Sequence, residues 1–459
     1  MKLTIKTEHP NYVAKVVKLP APRKHENADK LQVVTIDAQN VVTGLIAKEG
    51  DIYIYFPLES KLNEKYLSWS NSYSKAELNK DTTKKGFFPS VGRVKTTKLR
   101  GIFSEGYIVP VGDLVEWLNS TKVKASVEDF VVDTEFSHFG DTLICEKYVN
   151  YEAIRKAQNV ENAAKNKQGK IKRESKLIDN QFRLHIDTVQ LKKFISRIYP
   201  SDFISISEKI HGTSAVFGKV LCKRPLKWYE KALKKVGVSI NETYYDYVWS
   251  SRKVIKNQYA DKVSQSFYKE DIWAIVAEKL NPFLKDGMSF YAEIYGQMPS
   301  GKWIQSMGGK GFDYGTKPNE HNYAIYRITS TNASGEVIEF TEQQIVSYCK
   351  KYGINSVPYH YLGYAKDLIP IKNLVLTDDR DVNIWRDELL NYLIIKYTEM
   401  DCPMSANKVP REGIVLRRFN DYPDVYKLKS LRFIAGEADA TEAGEVSVED
   451  TQSVEAQTE

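Results

Sequence analysis

The 459-residue chain lacks any apolar run near the ~20 residues that a membrane-crossing helix needs, and its mean hydropathy is −0.44. A helical membrane protein is excluded and a soluble one is expected. The N-terminal stretch MKLTIKTEHPNYVAKVVKL alternates polar and apolar residues and lacks the basic, long-apolar, small-residue order of a secretory signal. Cysteine is scarce: Cys145, Cys222, Cys349 and Cys402 lie more than 50 residues apart, so neither a disulfide framework nor a CxxC metal knuckle is written here. Both absences point to a reducing, cytoplasmic setting. Basic residues are also missing after Arg432, where eight acidic residues stand alone. The formal charge of +7 therefore understates the rest of the chain, in which 66 Lys and Arg face 59 − 8 = 51 Asp and Glu, an excess of +15. Such a surplus fits a phosphate-backbone partner, although it also fits a merely soluble basic surface.

The length suits two or three domains, and two is the starting count. From Leu3 to Pro110, short alternating runs (VAKVVKL, LQVVTIDA, DIYIYF, GYIVPV) recur between polar turns, which predicts a small barrel or sandwich. Between Asn150 and Lys176 the composition turns to Lys, Asn, Gln, Glu and Ala, the signature of an exposed basic connection. From Phe182 to about Phe433, strand-like FISISEKI, SAVFGKV, MSFYAEIYG, NYAIYRI and GIVLRRF alternate with helix-like segments. The helical spacing falls on DKVSQSFYKEDIWAIVAEKL, FTEQQIVSYCKKYG and VNIWRDELLNYLIIKYTE. The last 24 residues contain no aromatic, Leu or Ile and read as a mobile acidic tail.

The segment SISEKIHGTSAVFG carries the first chemical signal, because an alternating strand runs into Lys209 and then a turn at His211-Gly212. A lysine before a glycine turn is by itself usually a solvated charge. Downstream segments add the groups that nucleotidyl transfer through a lysine would need. Glu293 is a carboxylate on the otherwise apolar and aromatic strand SFYAEIYGQ, and Glu412 stands just before a strand in REGIVLRR. Lys427 and Lys429 in YKLKS share one strand face, where two like charges repel unless solvent or an anion lies opposite. A triphosphate is such an anion; two exposed lysines on an edge strand is the plain alternative.

Taken in order, Glu208-Lys209-Ile210-His211-Gly212, Arg252 in WSSRKV, Glu293 in YAEIYG, Tyr326 in YAIYRI, Glu412 in EGIVL and Lys427 with Lys429 resemble the motifs of the covalent nucleotidyltransferases. That superfamily comprises DNA ligases, RNA ligases and messenger-RNA capping enzymes. The form EKIHGT is similar to RNA ligases of the nick-sealing and editing type, since the other branches usually have Asp where His211 stands. RLHIDTVQL, with His185 and Asp187, together with HENADKL and KLRGIFSEGYIVP, resembles the RNA-ligase clade typified by the Deinococcus enzyme, whose members carry an OB-like module ahead of the catalytic domain. One departure is Arg327, where related ligases usually have Asp after the aromatic residue.

The resemblance implies an α+β protein with an OB-like β-barrel, RNA-binding, at 1–149; a basic linker at 150–181; an antiparallel-sheet nucleotidyltransferase domain at 182–435; and a disordered acidic tail at 436–459. It implies an ATP-dependent RNA ligase that joins 5′-phosphate and 3′-hydroxyl ends of a nicked duplex through lysyl-AMP on Lys209. Lysine attacks only when neutral, and its reference pKa near ~10.4 means that the site must favour the free amine. Mg2+ or Mn2+ is implied, with Glu412 holding it. By the same resemblance Glu293 binds ribose or assists later steps, and Arg252 grips ribose or the 5′-phosphate end. Glu208 or its backbone meets the adenine edge, Tyr326 covers the adenine face, and Ile210 lies beside the nucleotide. His211 either orients phosphate or metal-bound water or simply closes its turn. Arg93, Lys95, Lys98 and Arg100 in GRVKTTKLRG are the RNA-gripping candidates, with a solvated strand face as the alternative. A DNA ligase or capping enzyme is the rival with the same chemistry, and a non-catalytic nucleic-acid-binding protein with a degenerate ligase domain is the rival of another class.

Overall fold

The computed structural model describes residues 2–7, 9–150, 176–186, 188–257, 259, 271–371, 374–375, 378–419 and 424–445. Two compact units divide the chain. One comprises Met1–Val149, Val189–Pro200 and Ile371–Leu393, and the other Asn150–Thr188, Ser201–Pro370 and Ile394–Glu459. The first unit's leading segment ends at Val149, and two later segments join it. Of the linker expected over 150–181, residues 151–175 lie outside those described, and Lys176–Leu177 pairs as a strand with Lys223 and Cys222.

In the first unit, each alternating run forms a strand: β1 (Ala14–Lys18), β2 (Leu31–Ile36), β3 (Gln39–Gly44), β4 (Ile52–Pro57), the hairpin β5 (Thr97–Leu99) and β6 (Ile102–Ser104), β7 (Gly106–Pro110) and β8 (Glu135–Phe136). Antiparallel pairing gives the order β7-β4-β1-β8, with β2-β3 and β5-β6 in separate small sheets. Among the described residues these sheets are not seen to close into the expected OB-like barrel. One face of the sheet is covered by a helix that the strand-like rhythm hid. α1 (Val111–Ser120) buries Val111, Leu114, Trp117 and Leu118 in one core with Val16, Ile54, Phe56 and Val109. Apolar side chains of the sheet are thus covered by a helix face, and closure is not required to keep them dry.

Two large antiparallel sheets make up most of the second unit's described strands. The first contains β10 (Thr213–Lys223), β11 (Thr243–Ser251), β12 (Met288–Gly296), β13 (His321–Thr331) and β14 (Val337–Glu339) in the order β11-β10-β12-β13-β14. The second contains β9 (Phe203–Lys209), β15 (Tyr359–Tyr364), β16 (Gly413–Arg418) and β17 (Asp424–Lys429) in the order β17-β16-β9-β15. Strand β12 has neighbours on both edges and is buried at every position but Glu293, which explains its near-continuous apolar sequence. Helix α2 (Ile272–Leu280) starts at Asp271, whose carboxylate accepts from the Ala274 N–H. It packs Ile272, Trp273, Val276 and Leu280 against Phe217, Phe290 and Ile294 of the sheet. Its expected first half, 261–270, lies outside the described residues.

Helix α3 (Glu342–Tyr352) is set by a capping box between Thr341 and Gln344 and stopped by Gly353 in the left-handed conformation. The helix expected at 382–399 is α4 (Asp379–Tyr397). α5 (Leu431–Glu442), capped by Ser430, buries Phe433, Ala438 and Thr441. The tail expected to be disordered from 436 is therefore helical to Glu442, because its small residues Ala438 and Thr441 pack inward; 446–459 lie outside the described residues. No helix of the described residues is long and apolar enough to cross a membrane.

Candidate nucleotidyl-transfer site

β9 ends at Lys209, and Ile210, His211 and Gly212 carry the chain into β10 of the other sheet. The candidate nucleophile thus stands where one sheet hands the chain to its neighbour. Ile210 anchors this crossing, buried in a cluster with Tyr295, Phe312, Tyr314 and Phe433. Gly212 is needed because a Cβ there would meet the Ile294 carbonyl oxygen at 2.2 Å. Its N–H donates to Glu293 Oε1 at 3.2 Å, and its carbonyl accepts from Gln305 Nε2 at 2.7 Å.

Two expected lysines and His211 converge on one carboxylate, that of Glu412. Lys209 Nζ lies 2.6 Å from Glu412 Oε1, and Lys429 Nζ lies 3.3 Å from the same oxygen. His211 Nδ1 is 3.9 Å from Glu412 Oε2, its ring set edge-on to Phe312 and Phe433 and its backbone N–H donating to the Tyr314 hydroxyl at 2.8 Å. Burial would push the Glu412 carboxyl up, but Lys209, Lys429 and His211 outweigh it and hold the group below the usual carboxylate value. Burial lowers His211, against the pull of Glu412, so the imidazole is kept from its charged form. Lys429 also reaches Glu437 Oε2 at 3.4 Å, a partner on α5 that the sequence did not announce.

Glu293 faces Ser214 across the β10–β12 ladder. The Tyr326 hydroxyl meets Ser214 Oγ at 3.3 Å and His185 Nδ1 at 2.9 Å; burial, and then the Glu293 charge, push this phenol up. Tyr326 sits at a bulge, since the register slips between Tyr291–Arg327 and Ala292–Ile325. Asp187, expected beside His185, lies outside the described residues. The unusual Arg327 is accounted for by a guanidinium 4.3 Å over the Tyr291 ring and ion-paired with Glu339.

The Glu208 side chain is held by other residues of the protein. Its carboxylate is buried and bound by Arg411, Nε at 2.9 Å from Oε1 and the second nitrogen on Oε2, while His360 Nε2 lies 2.8 Å from Oε2. The side chain is thereby committed within the protein, and the Glu208 backbone N–H donates to the Pro358 carbonyl at 2.9 Å. Neither Arg411 nor His360 was singled out from the sequence; the only cue was that Arg411 directly precedes Glu412. Arg252 stands one residue past β11, and Lys427 lies opposite Val415 on β17, both partly buried. Of the four RNA-gripping candidates, Arg93 is corrected: it is 3% exposed, ion-paired to Glu59 at 2.5 Å and stacked on Tyr148, because burial of a guanidinium demands such partners. Lys95 is partly buried, while Lys98 and Arg100 are exposed on the β5–β6 hairpin.

A divalent cation fits this donor set. Glu412 Oε2 is buried without a hydrogen-bond partner, and no cluster of three metal-ligating side chains exists among the described residues. One carboxylate supplemented by phosphate oxygens and water suits Mg2+ or Mn2+ better than a protein cage would.

A family model described as RNA ligase matches residues 202–429, which contain β9 to β17 with Lys209, Glu293, Glu412 and Lys429. Over residues 202–429 the chain is similar to the RNA ligase family. No curated protein matches the chain. Among solved structures, a Naegleria gruberi RNA ligase variant with AMP and manganese is similar at a TM-score of 0.50 and 15% identity, over 92% of this chain and 97% of that one. An apo form of another variant of that ligase gives 0.50 and 15%, over 93% and 98%. At that identity the likeness concerns the fold, and it extends beyond residues 202–429 into the first unit.

Proposed function

We propose that the protein is an ATP-dependent RNA ligase that seals 5′-phosphate and 3′-hydroxyl ends, most naturally at a nick in a duplex, with Lys209 as the nucleophile. The observation that carries this reading is the Lys209–Glu412–Lys429 cluster lying within the RNA ligase match. The two Naegleria structures above, one with AMP and manganese, share the fold and support the choice of nucleotide and ion.

In the first step the neutral Lys209 amine attacks the α-phosphorus of ATP. A P–N bond forms, the bond from that phosphorus to the bridging oxygen breaks, pyrophosphate leaves with the electron pair, and the amine's proton goes to solvent. Glu412 Oε1 aims the amine, while Lys429 and Lys427 face the phosphates. Tyr326, held by His185 and Ser214, provides a surface for adenine, and Glu293 with Arg252 serves the ribose and the RNA end. Mg2+ or Mn2+ held through Glu412 would neutralise charge gathering on the phosphoryl oxygens. AMP then passes to the RNA 5′-phosphate, and the 3′-hydroxyl displaces it. The first unit acts as the RNA-gripping module of OB type, a role supported by its sequence resemblance, its antiparallel strands and exposed Lys98 and Arg100.

The test is sealing of nicked duplexes with ATP and Mg2+, in which RNA or DNA supplies the 3′-hydroxyl strand. Sealing with an RNA 3′-hydroxyl is expected; sealing of all-DNA nicks alone, or use of GTP in place of ATP, would overturn the reading.

A further inference from the structure

The pair formed by Glu208 and Arg411 lies beside the chemistry and is not used by it. These residues sit 203 positions apart in sequence, yet each immediately precedes a member of the reacting pair, Lys209 and Glu412. Both are nearly inaccessible, at 3% and 2% exposure. The ladder between β9 and β16 ends at Lys209–Gly413, so no ladder pair fixes Arg411 or Glu412 against β9. Two side-chain links span that gap in parallel: the inner one joins Lys209 to Glu412 at 2.6 Å, and the outer one joins Glu208 to Arg411 by a two-pronged contact. His360 completes the outer link, with Nε2 2.8 Å from Glu208 Oε2 and 2.7 Å from the Arg411 terminal nitrogen. That nitrogen can serve only one partner at a time, accepting from Arg411 or donating to Glu208. Arg411 and the His360 ring also lie against Tyr397.

We propose that Arg411 is a positioning residue for AMP transfer to Lys209: through Glu208 it locks the nucleophile-bearing strand end to the segment bearing Glu412. Because both Glu208 oxygens are engaged, the same contact leaves adenine to be recognised without the Glu208 carboxylate. A rigid, two-pronged guanidinium suits such a task better than a single-point cation. The proposal rests on Lys209 being the AMP acceptor.

The experiment is single-turnover formation of covalent AMP by the full chain carrying Glu208→Gln, Arg411→Gln, both together, or Arg411→Lys. Each is measured with ATP and with purine riboside triphosphate, which lacks the 6-amino group. Misplacing a reacting group by about 1 Å costs on the order of 100-fold, so each single Gln variant should react about 10–100-fold more slowly, with little change in the ATP concentration for half-maximal rate. The double variant should be as slow as either single one, since the pair acts as a unit, and Arg411→Lys should recover part of the rate. The preference for ATP over the purine analogue should stay unchanged in Glu208→Gln.

If a single variant does not fold, the double one, which leaves no lone buried charge, carries the test. A folded and slow double variant supports the proposal, and a folded double variant at the wild-type rate overturns it. Loss of the ATP preference in Glu208→Gln would overturn the base-recognition half. Covalent AMP persisting in Lys209→Ala would instead sink the underlying reading, independently of these variants.

Discussion

The contacts of Lys209 with Glu412 and of Arg93 with Glu59 are both short cation–carboxylate pairs, at 2.6 and 2.5 Å, and they differ in which partner is exposed. The Arg93 side chain is 3% exposed and lies against Tyr148, closed off in the first unit's interior. Lys209 and Lys429 keep side chains that are 19% and 15% exposed while sharing one buried oxygen of Glu412. An amine that must meet a phosphate has to be held and reachable at once; a structural guanidinium has only to be held. Exposure at the cation, with burial at the carboxylate, separates the two cases.

The comparison breaks most sharply at the carboxylates. Glu412→Gln keeps the shape but removes the charge that aims Lys209, and the formation of covalent AMP should fall by about 10²–10³, in the range of losing a key electrostatic group. Chemical-denaturant midpoints of that variant should show a folded protein. Arg93→Ala should do the reverse. It strands Glu59 and should cost about 1–3 kcal/mol in stability, read from urea unfolding, while the folded fraction binds RNA normally. Lys98→Glu with Arg100→Glu should leave stability unchanged and lower the salt dependence of RNA binding by about two phosphate contacts, at a slope of ~0.9 each. A stability loss from the hairpin pair, or an RNA-binding defect confined to Arg93→Ala, would reverse the assignment.

The smallest effect concerns pH. Burial lowers the His211 pKa on folding, so the unfolded chain takes up its proton first. The stability that His211 contributes is present above the unfolded value near ~6.5 and is lost as pH falls toward the folded one, at up to about 1.4 kcal/mol per pH unit for one group. His211→Asn should flatten the decline of the urea midpoint below pH ~6.5 relative to the wild type; parallel curves would contradict it.

Much of this was legible in the sequence wherever the signal is local. MSFYAEIYG became β12 residue for residue, and its lone carboxylate Glu293 marks the one position that is not buried. FTEQQIVSYCKKYG contained its own cap, helix and stop in Thr341, Gln344 and Gly353. The failures are contacts across distance or packing that overrides composition. Arg411 finds Glu208 across 203 residues, and nothing near either one announces it. Arg93 looked like its exposed neighbours Lys98 and Arg100 until Glu59 and Tyr148 were placed around it. The helix α5 continues through residues that composition alone assigned to a disordered tail, because Ala438 and Thr441 are buried. The first unit's runs formed strands, but α1 was masked by the alternating runs on either side of it.

The central claim is that Lys209 carries AMP. Incubation of the full chain with Mg2+ and ATP labelled at the α-phosphate, followed by denaturation, proteolysis and mass mapping, tests it directly. The account predicts one AMP per chain on the peptide containing Lys209 and none in Lys209→Ala. A label on another residue, or one that survives that substitution, would contradict it.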